Sequence, residues 1–69
     1  MYRIFINYVL YYSTSSYLEA LRVARRESAN HPRSTVTVLR VRERAEFRPL
    51  TAIGGIWGEV ILAHVPEAM

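Results

Sequence analysis

Residues 2–12 read YRIFINYVLYY, and the fold turns on how this stretch is parsed. It is rich in aromatic and β-branched residues and contains neither Gly nor Pro, which predicts one strand over Tyr2–Tyr12. Alternation assigns Tyr2, Ile4, Ile6, Tyr8, Leu10 and Tyr12 to a core face. Arg3, Phe5, Asn7, Val9 and Tyr11 take the opposite face, which is still too apolar for a freely solvated surface.

Ser13-Thr14-Ser15-Ser16 ends this strand. Ser16 and Glu19 have capping-box spacing: the Ser hydroxyl accepts the Glu19 amide, and the Glu carboxylate reaches back to the cap amide. The pair predicts a helix over Tyr17–Ala29, stopped by Asn30-His31-Pro32 because a residue before Pro disfavours the α region. Tyr17, Ala20, Leu21, Ala24 and Ser28 form the expected apolar stripe, with Arg22, Arg25 and Arg26 pointing away from it. Its small side chains call for a helix lying close to a sheet.

Residues 34–44, STVTVLRVRER, read as a second strand. Val36 and Val38 share one phase, Leu39 and Val41 the other. Either a bulge falls near Val38-Leu39 or both faces are covered. Arg40, Arg42 and Arg44 share a face. Gly54-Gly55 marks a hairpin turn, and residues 56–65 form the last strand, ended by Pro66. Pro49 argues against a central strand over 45–55, leaving that segment as either an edge strand or a lid.

The expected architecture is α+β: a single domain over 1–69, in the order β-α-β-β, with one helix packed on one face of a three- to four-stranded mixed sheet. A right-handed crossover would join the first two strands in parallel. The uncovered face would carry some of Phe5, Val9, Tyr11, Leu39, Val41, Trp57 and Ile61. Exposed together, these exceed what a monomer normally shows. That face is expected to meet a second copy, another protein or the 45–55 segment.

Composition narrows the function. A chain of 69 residues without cysteine has no disulfide staple and no thiolate ligand. Hydrophobic residues make up 51%, too many for a disordered tail. The longest apolar runs fall short of the ~20 residues of a membrane span, and no signal peptide is visible, so the cytoplasm is the default compartment. All nine basic residues are arginine and the net charge is +3. Arg forks suit carboxylate, phosphate and aromatic partners.

Catalytic groupings are not found. His31 and His64 are the two histidines, too few to converge on a metal with other ligands. Ser13–Ser16 lacks an adjacent base and a nucleophile elbow. Glu43 and Glu46 are interleaved with arginines, which suits solvated ion pairs. Gly54, Gly55 and Gly58 are not followed by the Lys-Ser/Thr of a phosphate loop. The expectation is therefore no enzyme, no metal and no cofactor.

Binding residues are better supplied. Tyr, Trp and Arg dominate protein-interface hot spots, and the chain holds five Tyr and one Trp. Tyr11, Trp57, Arg40, Arg42 and Arg44 are the expected anchors for a protein partner. Arg22, Arg25, Arg26 and Arg33 form a second basic set, suited to phosphates. The alternative is thus a small basic nucleic-acid-binding regulator, although the RNA-recognition motif is absent. A structural homodimer that buries its open sheet face is a third reading.

The aromatic first strand Tyr2–Tyr12, the helix Tyr17–Ala29 with YLEALRVARRES and the closing Ile61-Leu62-Ala63-His64-Val65-Pro66-Glu67 together resemble small accessory proteins of phages and mobile elements of the anti-CRISPR type. Many of those are single domains of similar layout. The resemblance implies a phage-encoded inhibitor that blocks a host complex by surface binding. The basic balance of this chain departs from the acidic members that mimic DNA.

Overall fold

A computed structural model describes residues 1–42 and 51–66. Five strands and one helix follow in the order β1 (Tyr2–Ile6), β2 (Val9–Thr14), α1 (Tyr17–Asn30), β3 (Val36–Val41), β4 (Thr51–Ile53) and β5 (Ile56–His64). The strands form one curled sheet in the spatial order β2-β1-β3-β5-β4, every neighbouring pair antiparallel. This corrects the expected β-α-β-β order and the three- to four-stranded mixed sheet.

The correction begins at Asn7-Tyr8. Both residues have positive φ, 51° and 65°, and turn the expected first strand into the β1–β2 hairpin. A two-residue turn with both centres in the left-handed region matches the twist of the flanking strands. Glycine usually marks such a turn, and its absence hid this one. Tertiary contacts hold it instead. The Asn7 amide N–H donates to the Thr35 carbonyl at 2.8 Å, and Asn7 Oδ1 accepts the Thr35 N–H at 3.0 Å. The Gly54-Gly55 turn, φ 58° and 80°, joins β4 to β5 as expected.

No parallel pair exists among the described strands. Since β2 and β3 both run antiparallel to β1, they share a direction with β1 between them. The helix therefore crosses over β1 rather than linking two adjacent strands. Of residues 45–55, Thr51–Ile53 pairs with β5 as an edge strand; residues 43–50, with Pro49, lie outside the described residues.

Ser16 caps α1, its hydroxyl accepting the Glu19 amide at 3.2 Å. The Glu19 carboxylate does not close the box. The Ser16 amide donates to Thr14 Oγ1 instead, and Glu19 accepts the Tyr12 hydroxyl. The buried stripe is Ala20, Val23, Ala24 and Glu27, rotated from the expected one. It packs on Ile4, Val36 and Val38, with Tyr2, Ile6, Ile61 and Leu62 around the margin. Ala20 and Ala24 are fully buried, so the helix backbone approaches the sheet closely.

Two irregularities serve this layer. Opposite Ile4-Phe5, strand β2 has an extra residue, Tyr11; opposite Val38-Leu39, β5 has an extra residue, Ile61. An inserted residue breaks the alternation locally. Both Tyr11 and Tyr12 thereby bond to the helix, and both Ile61 and Leu62 pack against the helix-side core.

On the other face Phe5, Leu39 and Ile53 form a second buried cluster, with Ile56 against it. Ile53 lies on the far edge strand, so its contact with this cluster requires the sheet to curl. The face expected to lie open is thus partly closed by the β4–β5 hairpin. Gly58 makes the curl possible: a Cβ there would stand 2.2 Å from the Arg40 carbonyl oxygen and 2.8 Å from Leu39 Cγ.

Candidate interaction surface

The β1–β2 hairpin exposes five large side chains in succession: Tyr8 63%, Val9 69%, Leu10 45%, Tyr11 50% and Tyr12 40%. Tyr17 and Leu18, at the start of α1, are exposed as well. Beside Tyr8, on the face away from the helix, a groove of about 390 Å³ runs to the β4–β5 hairpin, lined by Thr37, Ile53, Val60 and Ala63.

Tyr11 and Tyr12 expose their rings but anchor their hydroxyls. Tyr11 donates to Glu27 Oε1 at 2.7 Å. Glu27 occupies the buried stripe of α1, and its carboxylate also faces Arg26 Nη2 and His31 Nε2, each at 3.5 Å. His31 further donates its backbone N–H to the Glu27 carbonyl at 2.8 Å, closing the helix. A buried carboxylate needs such partners, because an unpaired one is strongly destabilising. The bond to Glu27 raises the Tyr11 phenol above its ordinary value of 10.0, with Arg26 opposing. Glu19 raises Tyr12 in the same way, with Arg22 and Arg26 opposing.

The expected anchors separate into two places. Arg40 lies over the Tyr2 ring, 5.7 Å from its centroid, and Tyr2 in turn meets the Tyr17 ring at 5.7 Å. Arg40 pairs across the strands with Glu59. Arg42 Nε stands 3.2 Å from Glu59 Oε1, an ion-pair distance without hydrogen-bond alignment. Trp57, two residues before Glu59, falls on this same side by alternation. Arg40, Arg42 and Trp57 thus share a patch, on the helix side of the sheet rather than the face expected to lie open. Tyr11 stands apart on β2, two strands from Arg40 and three from Trp57, or roughly 10 and 14 Å across the sheet. Arg44 lies outside the described residues.

Arg22, Arg25, Arg26 and Arg33 are all exposed. Arg22 borders a shallow depression with Ser16, Leu18 and Glu19. Among the described residues no cluster of three or more His, Asp or Glu is placed to hold a metal, and no helix is long and apolar enough to cross a membrane. His64 ends β5 with a buried Nε2 that has no hydrogen-bond partner. Sequence reasoning missed two participants. Glu27 was not singled out, and Tyr8 was read as a core residue of a continuous strand.

No family model matches the chain, and neither a curated protein nor a solved structure matches it.

Proposed function

We propose that this chain is a non-enzymatic protein-binding module, an inhibitor of the anti-CRISPR type that blocks a host complex by covering part of its surface. The observation carrying this reading is the uninterrupted exposure of Tyr8, Val9, Leu10, Tyr11 and Tyr12 along one hairpin. Tyr is a favoured interface residue, since it presents a large ring with few rotamers to freeze. Tyr8 adds support. It holds a left-handed conformation that glycine would adopt without strain, and such strain is retained preferentially where a side chain is needed for function.

The test is capture from lysate of a host cell with the immobilised chain. One protein retained by the wild type and lost with Leu10→Glu identifies the hairpin as the site. Trp57→Ala and Arg42→Glu probe the second patch in the same assay, with circular dichroism showing that each variant folds. A folded chain that retains no protein reproducibly overturns the reading.

The four exposed arginines Arg22, Arg25, Arg26 and Arg33 favour a second reading, a nucleic-acid-binding regulator. It requires affinity for DNA or RNA that falls steeply with salt, since each phosphate contact releases counterions.

A further inference from the structure

Two small residues keep the groove beside Tyr8 open. Ala63 lies directly across from Thr37 in the sheet register and contributes only a methyl group. Gly54, in the β4–β5 turn, lines the groove without a side chain. A Cβ there would stand 4.0 Å from Phe5 Cε1, so the turn curls close over the sheet and forms the wall opposite Tyr8.

Thr37 is the floor of this groove and its polar feature. The residue is 4% exposed. Its hydroxyl has no hydrogen-bond partner among the described residues, whereas buried hydroxyls are normally satisfied. The groove is the side from which a partner reaches it. The main chain of Thr37 is already taken, because β3 is bonded to β1 on one side and to β5 on the other. Polar recognition at the floor therefore falls to the hydroxyl.

Size and charge select the occupant. The groove holds about 390 Å³, within the range of small-molecule sites, which are mostly apolar with a few placed polar groups. None of its lining residues is charged. An ionic ligand would give up hydration there with no counter-charge to receive it. Tyr8 offers an aromatic face on one side, suited to offset or edge contact with a ring.

We propose that this groove binds a small neutral ring compound carrying one hydroxyl or carbonyl group. The ring lies between Tyr8 and the β4–β5 hairpin, over Val60 and Ala63. Its polar group meets the Thr37 hydroxyl, which can donate or accept. This site goes beyond the protein-binding reading and does not depend on it.

The experiment titrates the full, nitrogen-labelled chain at neutral pH and follows its backbone amide shifts by NMR. Benzyl alcohol, toluene, benzoate and benzylamine serve as probes, since they share one ring and differ in the polar group. Saturable shifts at Thr37, Ile53, Gly54, Val60 and Ala63 are expected with benzyl alcohol. Toluene should bind about tenfold more weakly, and neither ion should saturate. Thr37→Val keeps the shape of the side chain without its hydroxyl and should bring benzyl alcohol down to the affinity of toluene. Ala63→Phe, at an exposed position across from Thr37, should fill the groove and abolish binding of both. It keeps the test decisive if Thr37→Val does not fold.

Equal affinity of benzyl alcohol and toluene for the wild-type chain removes the role of Thr37 and overturns the proposal. Benzoate or benzylamine binding as tightly as the alcohol overturns the selection of a neutral ligand. Shifts that stay linear with concentration, or that survive Ala63→Phe, overturn the site itself. Shifts of the same residues with protein concentration alone, together with a dimer in sedimentation, assign the groove to a second copy and overturn it as well. Lysate capture lost with Leu10→Glu reports on the hairpin, so the two readings stand or fall separately.

Discussion

The hydroxyl of Tyr11 donates to the buried carboxylate of Glu27 at 2.7 Å, joining the outermost strand to the one helix of the described chain. Tyr12 makes the parallel connection to Glu19, a little over two turns earlier in α1. The folded chain holds both phenolic protons more tightly than the unfolded chain does. These bonds therefore stabilise fully below the ordinary phenol value of 10.0 and are lost as pH rises through the higher folded values. Tyr11→Phe should lower the melting temperature at neutral pH and flatten its decline in alkali. Thermal melts followed from about pH 8 to about pH 12 check both.

Gly58→Ala should be among the most damaging single substitutions. The new Cβ would stand 2.2 Å from a backbone oxygen of the neighbouring strand, where no side-chain rotation relieves the clash. A loss of at least about 3 kcal/mol is expected, the upper range for overpacking. Urea denaturation monitored by circular dichroism measures it; a loss under about 1 kcal/mol would show that β3 and β5 separate easily there.

Tyr8→Gly should act in the opposite direction. Relief of the left-handed strain at φ 65° stabilises by about 1 kcal/mol, partly offset by the greater freedom of glycine in the unfolded chain. The urea midpoint should rise with an unchanged slope. Partner capture by the same variant should fall, separating the stability of the hairpin from its use.

Ser16→Ala removes the acceptor for the Glu19 amide and should cost about 1 kcal/mol. Ser16→Asp should restore most of that loss, because its carboxylate caps equally well and favours the positive end of the helix dipole. Thermal melts of the three proteins side by side decide whether the hydroxyl acts as a cap.

What was legible in the sequence had local chemical markers. Ser16 announced the start of α1, and Gly54-Gly55 announced the second hairpin. The apolar residues in both phases near Val38-Leu39 were also legible, as a bulge or as cover on both faces; Val38 lies in the helix-side cluster and Leu39 in the opposite one, while the extra residue of the register shift lies in β5 at Ile61. What was missed lacked such markers. Asn7-Tyr8 turns the chain without glycine, secured by Thr35, which is remote in sequence. Continuous alternation through that turn imitated one long strand. Glu27 was hidden by its charge: the buried stripe includes it because Tyr11, Arg26 and His31 converge there. Arg40 and Arg42 were legible as sharing a face, but Trp57 reached them only because the Ile61 bulge exchanges the phases of β5.

That bulge also decides which changes of length β5 can absorb. Ile61 is the extra residue opposite Val38-Leu39, so deleting it would leave Leu62 opposite Val38, Val60 opposite Leu39, Glu59 opposite Arg40 and Gly58 opposite Val41. A residue inserted between Gly58 and Val60 acts differently. Unless the bulge enlarges, it carries Gly58 past Val41 and sets Glu59 there, where even a methyl group meets the Arg40 carbonyl. At this point β5 therefore accepts shortening more readily than lengthening.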